Sequence, residues 1–212
     1  MSAPNRAPIA IVGMGGVFPG APSVAALWDV VREGRDVTRP VPADRWTLAP
    51  SEALVRGGPT PDRVYADRAG LLETVALDPG DFELLPHELA AVDPSIHVLL
   101  AAASEAWRGT VTAPVDRRRA AVVLGNIALP TDGASALSQW VVGREFERRV
   151  LGAHATSSDS APSAWNRWVS GLPAGVLARA LGLGGDHFTL DAACASSLFA
   201  IQIAAAKLQR HE

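Results

Sequence analysis

Three short runs that are predicted to be strands, separated by longer stretches with helical patterns, limit the choice of fold more than any other feature. They occupy residues 9–12, 120–125 and 187–190. The first two runs are continuously apolar rather than alternating, which is typical of strands buried on both faces of a parallel sheet. Strands that alternate with helices favour an α/β architecture. We therefore predict the α/β fold class.

Helix-start signals precede two of the predicted helices. Ser23 is a good N-cap for the apolar stretch that follows it. Asp93 is followed by Pro94, a pair that suits the N-cap and the first helical position. Apolar residues then recur at helical spacing and predict one buried face, made of Ile96, Leu99, Leu100, Ala103 and Trp107.

Three further helices are predicted in the second half of the chain. Residues 134–150 are expected to be helical, with a charged C-terminal end. A second helix covers about 173–181, where Gly182 is placed to end it. Residues 195–208 are apolar nearly all round, and such a helix is normally buried inside a larger fold.

Two segments show little periodicity. Residues 38–81 are rich in proline and are predicted to form a long, mostly irregular surface excursion. That length is unusual for a structureless loop, so it indicates either a function or short elements hidden within it. Residues 154–163 are rich in serine and are predicted to be a loop.

Charge and cysteine content exclude several classes of protein. The net charge is −3 and no basic run stands out, so the electrostatic pattern of nucleic-acid binding is missing. A single cysteine cannot form a disulfide within the chain. Residues 1–8 lack the apolar core of a signal peptide, and no apolar run is long enough to cross a bilayer. We expect a cytoplasmic protein without a membrane span.

The residues around Cys194 are the only motif with clear chemical meaning. They predict a strand, a turn of small residues and then a helix, with Cys194 at the junction. A helix N-terminus favours the thiolate, which is the nucleophilic form of cysteine, and its backbone N–H groups can bind an oxyanion. Asp191 is expected to bond the backbone of this turn rather than to take part in chemistry.

Two alternatives are weighed, one for Cys194 and one for the glycine-rich segment at Gly13 and Gly15. Cys194 could be a small buried hydrophobic residue, which is the usual fate of a free cysteine. Gly13 and Gly15 follow a predicted strand, as in dinucleotide-binding loops. Phe18 occupies the place of the third glycine in that motif, so we reject a dinucleotide site.

The cysteine motif resembles that of a known enzyme family. Residues 191–198 read Asp-Ala-Ala-Cys-Ala-Ser-Ser-Leu. β-Ketoacyl synthases usually show Asp-Thr-Ala-Cys-Ser-Ser-Ser-Leu at their active site. Residues 9–20, residues 41–46 and the Asp-Pro pair at 93–94 also resemble that family, in the same order. The resemblance covers nearly the whole chain.

Two further stretches resemble one subgroup of the family. Residues 166–174 and 125–131, together with the Ala-Ala-Cys-Ala form of the cysteine motif, are similar to polyunsaturated-fatty-acid synthases and related glycolipid-type polyketide synthases. Generic modular polyketide synthases remain an alternative.

The resemblance implies a fold and a domain organisation. Family members have a thiolase-like fold, in which two similar α/β halves stack as αβαβα layers, and they are usually homodimers. Residues 1–212 would be the N-terminal half of this fold, without the C-terminal ketosynthase half. The helix after Cys194 would then lie at the centre of the layers.

The resemblance also implies a reaction. Cys194 would accept an acyl group from the phosphopantetheine arm of an acyl carrier protein. A malonyl unit would lose carbon dioxide, and its carbanion would attack the acyl thioester in a decarboxylative Claisen condensation. No cofactor or metal would bind directly to the chain, because the substrates arrive on the carrier protein.

Family members complete this site with two histidines from their second half, which lie in motifs that this sequence does not contain. His97 stands where many relatives have arginine and is expected to be structural. Cys194 is therefore the only catalytic residue that we assign. No histidine of the chain falls in a matching motif: His87, His97, His154, His187 and His211.

Two hypotheses of function follow. The first is a condensing acyltransferase, seen here as its N-terminal portion and expected to show little condensation activity in isolation. The second is a non-catalytic dimerisation or scaffolding piece of a split or truncated synthase. Selective acylation or alkylation of Cys194 would distinguish them.

Overall fold

The structure is a computed structural model, which describes residues 7–46, 48–55, 57–58, 60–111, 115–127, 131–152, 163 and 172–211. It mixes helices and strands, as the sequence predicts. The helices, in chain order, are α1 (Val24–Glu33), α2 (Pro50–Ala53), α3 (Pro86–Ala91), α4 (Pro94–Arg108), α5 (Asp132–Ser138), α6 (Arg144–Leu151), α7 (Leu172–Ala180) and α8 (Ser196–Arg210).

A parallel pair of strands organises the region that matters for function. Strands β3 (Val122–Gly125) and β4 (His187–Leu190) pair in register from Val122 opposite His187 to Gly125 opposite Leu190. Two more backbone bonds extend this pair, from the Val122 N–H to the Asp186 carbonyl (2.8 Å) and from the Asn126 N–H to the Leu190 carbonyl (3.0 Å). Both strands lie where the sequence predicts them.

The main hydrophobic core lies where α7 packs against this strand pair on one side and against α4 on the other. Leu100 of α4 and Ala174 of α7 are completely buried, and Val122 of β3 joins them. The predicted apolar face of α4 is confirmed: Ile96 and Leu100 are buried, while Leu99, Ala103 and Trp107 pack against the cluster.

Helix ends follow the predicted signals. The Ser23 side chain accepts a hydrogen bond from the N–H of Ala26 at the start of α1. The Asp93 side chain accepts one from the N–H of Ser95 at the start of α4. Gly182 adopts a φ of 62° directly beyond α7, where a left-handed residue allows the helix to end.

The long helical segment after β3 is also confirmed. Helices α5 and α6 are joined by one π-helical turn, Gln139–Gly143, so that residues 132–151 are helical throughout. Glu145 pairs with both Arg148 (2.9 Å) and Arg149 (2.7 Å) at the predicted charged end. The predicted serine-rich loop at 154–163 lies outside the described residues, apart from Ser163.

The proline-rich excursion contains short elements rather than one open loop. Strands β1 (Arg39–Pro40) and β2 (Arg68–Ala69) form a two-residue antiparallel ladder. A 3₁₀ turn at Ala43–Arg45 and the single turn of α2 lie between them, and a further 3₁₀ turn follows at Pro79–Asp81. The sequence indicated that such elements could exist but did not place them.

The predicted first strand is wrong for the described chain. Residues 9–12 form no strand, and their backbone makes no ladder bond with any described segment. Ile11 is 81% exposed and Val12 is 67% exposed, which is the opposite of the predicted burial. A strand exists only when a neighbouring strand accepts its hydrogen bonds, and an apolar run cannot supply that neighbour by itself.

Among the described residues, no helix combines the length and the apolar character that a membrane crossing would need.

Candidate active site at the β4–α8 junction

Cys194 lies at the junction that the sequence predicts. Strand β4 ends at Leu190, a 3₁₀ turn covers Ala193–Ala195, and α8 begins at Ser196. Cys194 is the middle residue of this turn and is exposed. The interpretation of Cys194 as a small buried hydrophobic residue is therefore wrong within the described chain, and a reagent can reach this residue.

The turn places an alanine in a conformation that alanine rarely adopts. Ala193, directly before Cys194, has a φ of 50°. Non-glycine residues in this left-handed region cost about 1–3 kcal/mol and persist only where their surroundings hold them. The Asp191 Oδ1 accepts a hydrogen bond from the N–H of Ala193 at 2.9 Å, which confirms that Asp191 bonds the backbone of the turn.

A second side chain braces the turn from the helix side. The Ser196 Oγ accepts a hydrogen bond from the N–H of Ala192 (2.9 Å) and donates one to the carbonyl oxygen of Ala193 (2.8 Å). Ser196 is buried. Sequence reasoning did not single out Ser196, although a serine two positions after a cysteine in a turn is a candidate for such backbone bonds.

Strand β3 supports the start of α8 at very close range. A Cβ atom added to Gly125 would lie 2.6 Å from the carbonyl carbon of Ser196 and 2.8 Å from the backbone nitrogen of Ser197. Only glycine leaves room for this approach, because real Cβ atoms do not come so close to a backbone. Gly125 therefore sets how tightly α8 packs on the strand pair.

The first turn of α8 has no side-chain cap. Ala195 occupies the N-cap position, and no side chain there accepts a hydrogen bond from the helix. The preceding 3₁₀ turn takes up two of the N–H groups here, because the Ser196 N–H donates to the Ala193 carbonyl oxygen and the Ala195 N–H donates to the Ala192 carbonyl oxygen (3.1 Å). The dipole of α8 still favours negative charge at this end of the helix. This is the electrostatic setting that the sequence predicts beside Cys194.

Helix α8 is not enclosed by the described part of the chain. It packs on β3 along one side, where Ser196 and Ala200 are buried. One face of the helix has no covering element among the described residues, so burial inside a larger fold stays a prediction. The exposed apolar residues of α8 are Leu198, Phe199, Ile201 and Leu208.

No described histidine is placed to act with Cys194. His97 binds the Leu89 carbonyl oxygen through Nε2 at 2.8 Å, which confirms a structural role. His187 begins β4 and His211 follows α8, so each lies at the end of its element away from the cysteine turn. His87 belongs to α3, and His154 lies outside the described residues.

The remaining motif candidates do not form ligand sites. A Cβ atom on Gly13 or Gly15 would collide with backbone carbonyls of α4, at Ala106 and Ala102 respectively. These glycines therefore allow the N-terminal segment to pack on α4. Within the described ranges, His, Cys, Asp and Glu side chains form no group of three that could hold a metal ion.

Glu105 is a further residue that sequence reasoning missed. Its two carboxylate oxygens accept hydrogen bonds from the N–H of Gly16 (2.9 Å) and the N–H of Val24 (3.2 Å). One side chain of α4 thus fixes both the glycine-rich segment and the start of α1. Its position on a helix gave no sign of partners more than 80 residues away.

The geometry defines an α/β protein with an exposed cysteine at a strand–helix junction. A family model described as "Beta-ketoacyl synthase, N-terminal domain" matches residues 6–212. The chain therefore belongs to the β-ketoacyl synthase family.

Known relatives agree with this assignment. Erythronolide synthase EryA2 of Saccharopolyspora erythraea is 31% identical over 215 residues, covering 100% of this chain and 6% of the relative. Non-reducing polyketide synthase 1 of Elsinoe fawcettii is 33% identical over 211 residues, covering 94% of this chain and 8% of the relative. These similarities support a ketosynthase of the condensing-enzyme family.

Solved structures show the same fold. A structure described as the PfaC Keto synthase-Chain length factor superposes with a TM-score of 0.73 and 29% identity, covering 94% of this chain and 22% of the solved one. The predicted thiolase-like fold of the ketosynthases is thereby confirmed. The chain spans between 2% and 12% of the length of the curated relatives compared.

Proposed function

We propose that this chain supplies the acyl-accepting cysteine of a β-ketoacyl synthase, and that this cysteine is Cys194. The observation that supports the proposal is an exposed sulfur-bearing residue at the β4–α8 junction, inside the segment matched by the family model. The substrate class is an acyl chain held as a thioester on the phosphopantetheine arm of an acyl carrier protein.

The first half-reaction is acyl capture. The Cys194 thiolate attacks the thioester carbonyl, a new carbon–sulfur bond forms, and the phosphopantetheine sulfur leaves and takes up a proton. The N-terminal end of α8 lies beside Cys194, and its helix dipole stabilises negative charge on the carbonyl oxygen during the attack. Covalent capture divides one difficult step into two easier ones.

The second half-reaction is the condensation. A malonyl-type extender loses carbon dioxide, its carbanion attacks the acyl carbon on Cys194, and the thiolate is released as the carbon–carbon bond forms. Decarboxylation requires groups that polarise the extender carbonyl. No described histidine is near Cys194, so we assign that task to a C-terminal ketosynthase half that joins this one.

Three partners follow from the proposal. They are an acyl carrier protein, the C-terminal half of the ketosynthase and a second copy of the complete domain. The exposed apolar side of α8 supports the second of these, because a large apolar surface on a monomer marks an interface. A reducing compartment suits a cysteine that must remain a free thiol.

The subgroup of synthase remains a prediction. Residues 166–171 of the subgroup motif lie outside the described residues, as do residues 128–130. Both erythronolide synthase EryA2 and the PfaC ketosynthase resemble the chain. The choice between fatty-acid and polyketide products therefore rests on the sequence motifs alone.

The proposal is tested by condensation in the intact protein that contains this chain. Acyl-carrier and malonyl-carrier substrates are supplied, and the β-ketoacyl product is measured by mass spectrometry. Cys194→Ala should lower the rate by roughly a thousandfold or more, because the covalent step is lost. Ser197→Ala is the matched control, since Ser197 is exposed and adjacent to the turn. A Cys194→Ala protein with more than a tenth of the normal rate would contradict the proposal.

A non-catalytic role in assembly is the second candidate. The observation that favours it is the exposed apolar surface, formed by residues 9–12 and by one face of α8. It predicts that the intact protein forms a stable complex through this surface but yields no condensation product with either cysteine or alanine at position 194. The same assay therefore separates the two candidates.

A further inference from the structure

One hydroxyl group holds the cysteine turn on both sides of Ala193. The Ser196 Oγ accepts from the N–H of Ala192 at 2.9 Å and donates to the carbonyl oxygen of Ala193 at 2.8 Å. A serine hydroxyl has a single proton to donate. That proton is used in the bond to Ala193, so Ser196 is not free to act as an acid or a base.

The residue held in this way is the strained one. Ala193 keeps a φ of 50° while its N–H is bound by Asp191 and its carbonyl oxygen is bound by Ser196. The Ser196 N–H also donates to that carbonyl oxygen. Loss of the hydroxyl removes the second bond to it, together with the bond from the Ala192 N–H, so Ala193 is held less firmly against relaxation towards the right-handed or extended region that alanine prefers. The backbone of Cys194 would turn with it, because the two residues share a peptide plane.

Ser196 is itself firmly placed. It is only 6% exposed, and its backbone lies against Gly125 at a distance that leaves no room for a Cβ atom. The hydroxyl thus belongs to a buried residue that is packed beside β3, and it bonds two groups of the turn. A buried group that holds a strained neighbour meets the requirement for a positioning residue.

We propose that Ser196 is the positioning residue for Cys194: its hydroxyl holds Ala193 left-handed and thereby aims the thiol towards the incoming thioester. This inference rests on the proposed function, since it names the residue that orients the acyl-accepting sulfur. It predicts an effect on the reactivity of Cys194 that is separate from any effect on folding.

The experiment uses the intact protein and two substitutions that differ by the hydroxyl. Ser196→Ala removes it and Ser196→Thr keeps it, while Ser197→Ala serves as the exposed neighbouring control. Two rates are measured for each protein: acylation of Cys194 by an acyl-carrier thioester, and alkylation by iodoacetamide across a pH series. Urea unfolding is recorded in parallel, so that reactivity is compared only between folded proteins.

We expect Ser196→Ala to lower the acylation rate at least tenfold and to change the pH profile of alkylation. Ser196→Thr should restore most of the acylation rate and most of the normal pH profile of alkylation. Ser197→Ala should match the unsubstituted protein in both assays. If Ser196→Ala reacts like the unsubstituted protein in both assays, or if a folded Ser196→Thr is as slow as a folded Ser196→Ala, the inference is wrong.

A second pair of variants covers the case in which Ser196→Ala fails to fold. Glycine adopts a φ near 50° without strain. Ala193→Gly should therefore fold and stay reactive, and adding it to Ser196→Ala should restore folding and part of the lost alkylation rate. A double variant that folds and reacts no better than Ser196→Ala would overturn the inference.

Failure of the proposed function has a different signature. An unsubstituted protein that is alkylated but never acylated would contradict the proposed function, and the alkylation profiles of the variants would still decide the role of Ser196.

Discussion

Gly125 has no space for a side chain where β3 meets the first turn of α8. The nearest atom to an added Cβ is the carbonyl carbon of Ser196, which is backbone and cannot rotate away. Any larger residue must push the start of α8 from the strand pair. The cysteine turn would move with it, because Cys194 lies two residues before the helix.

Gly125→Ala should therefore destabilise the fold by about 1–3 kcal/mol, the usual cost of overpacking. The control is Gly109→Ala, where the nearest atom would be 3.5 Å away and no displacement is needed. Urea unfolding measures both, and iodoacetamide alkylation reports whether Cys194 has moved. Equal stabilities for the two variants would show that α8 can shift without cost.

Thr189 provides a second test at the scale of one residue. Its Oγ1 is buried and has no hydrogen-bond partner among the described residues. A buried hydroxyl without a partner costs about 1–3 kcal/mol, and an apolar group of the same shape removes that cost. Thr189→Val should thus raise the free energy of unfolding by about 1 kcal/mol. A loss of stability of that size would indicate that the hydroxyl has a partner after all.

At the scale of elements, α4 and α7 give the strand pair its support. Helix α7 packs on both strands and α4 packs on α7, while α8 packs on β3. Strand β3 thus connects the core to the cysteine helix. Damage to α4 should be transmitted to Cys194 only through global unfolding.

Leu100→Ala tests this separation. Leu100 is completely buried in α4, so its truncation should leave a cavity and cost about 2–5 kcal/mol. The control is Val111→Ala, at a position that is 81% exposed, with an expected change within about 0.5 kcal/mol. Under conditions in which Leu100→Ala remains folded, its Cys194 alkylation rate should equal that of the unsubstituted protein. A slower rate would mean that the core residue acts on the site directly.

Asp93, at the start of α4, should make the free energy of unfolding depend on pH in the acidic range. Burial acts to raise the pKa of Asp93, but hydrogen bonds from Ser95, Thr131 and Gly133 together outweigh it and hold the pKa below its ordinary value of 3.8. Because the folded pKa is lower than the unfolded one, the stabilisation is present above 3.8 and is lost as the pH falls through the folded pKa.

Asp93→Asn should keep the cap and remove this dependence, since asparagine caps helices as well as aspartate does. Asp93→Ala should cost about 1 kcal/mol at neutral pH. Urea unfolding at neutral pH and on acidification below 3.8 distinguishes the three proteins. An unchanged acid dependence in Asp93→Asn would assign the effect to other carboxylates.

At the scale of the whole molecule, the sequence predicted the parts that depend on local rules. The strand predicted at 120–125 follows from an apolar run, and the start of α4 follows from its cap residue. The short strand at 187–190 and the junction at Cys194 were predicted from the same stretch of local sequence. The strand predicted at residues 9–12 is wrong, because a strand needs a partner strand and a short stretch of sequence contains no information about that partner. Ser196, Gly125 and Glu105 were missed for a related reason, since each acts through contacts that arise only after the elements pack.

The exposed apolar surfaces lead to a prediction at the same scale. If a C-terminal half covers α8 and residues 9–12, a hydrophobic dye should bind residues 1–212 strongly and the complete condensing domain weakly. Residues 1–212 alone should yield little condensation product. Turnover by residues 1–212 at the rate of a complete domain would contradict the need for a second half.

Acylation of Cys194 tests the central claim most directly. The 212 residues contain one cysteine, so an acyl thioester found on them can only be attached to Cys194. The intact protein is incubated with an acyl-carrier thioester and then digested, with Cys194→Ser as the control. We expect the acyl mass on the Cys194 peptide, removable by hydroxylamine as a thioester should be. A Cys194 that is readily alkylated but never acylated by any carrier-bound chain would contradict the account.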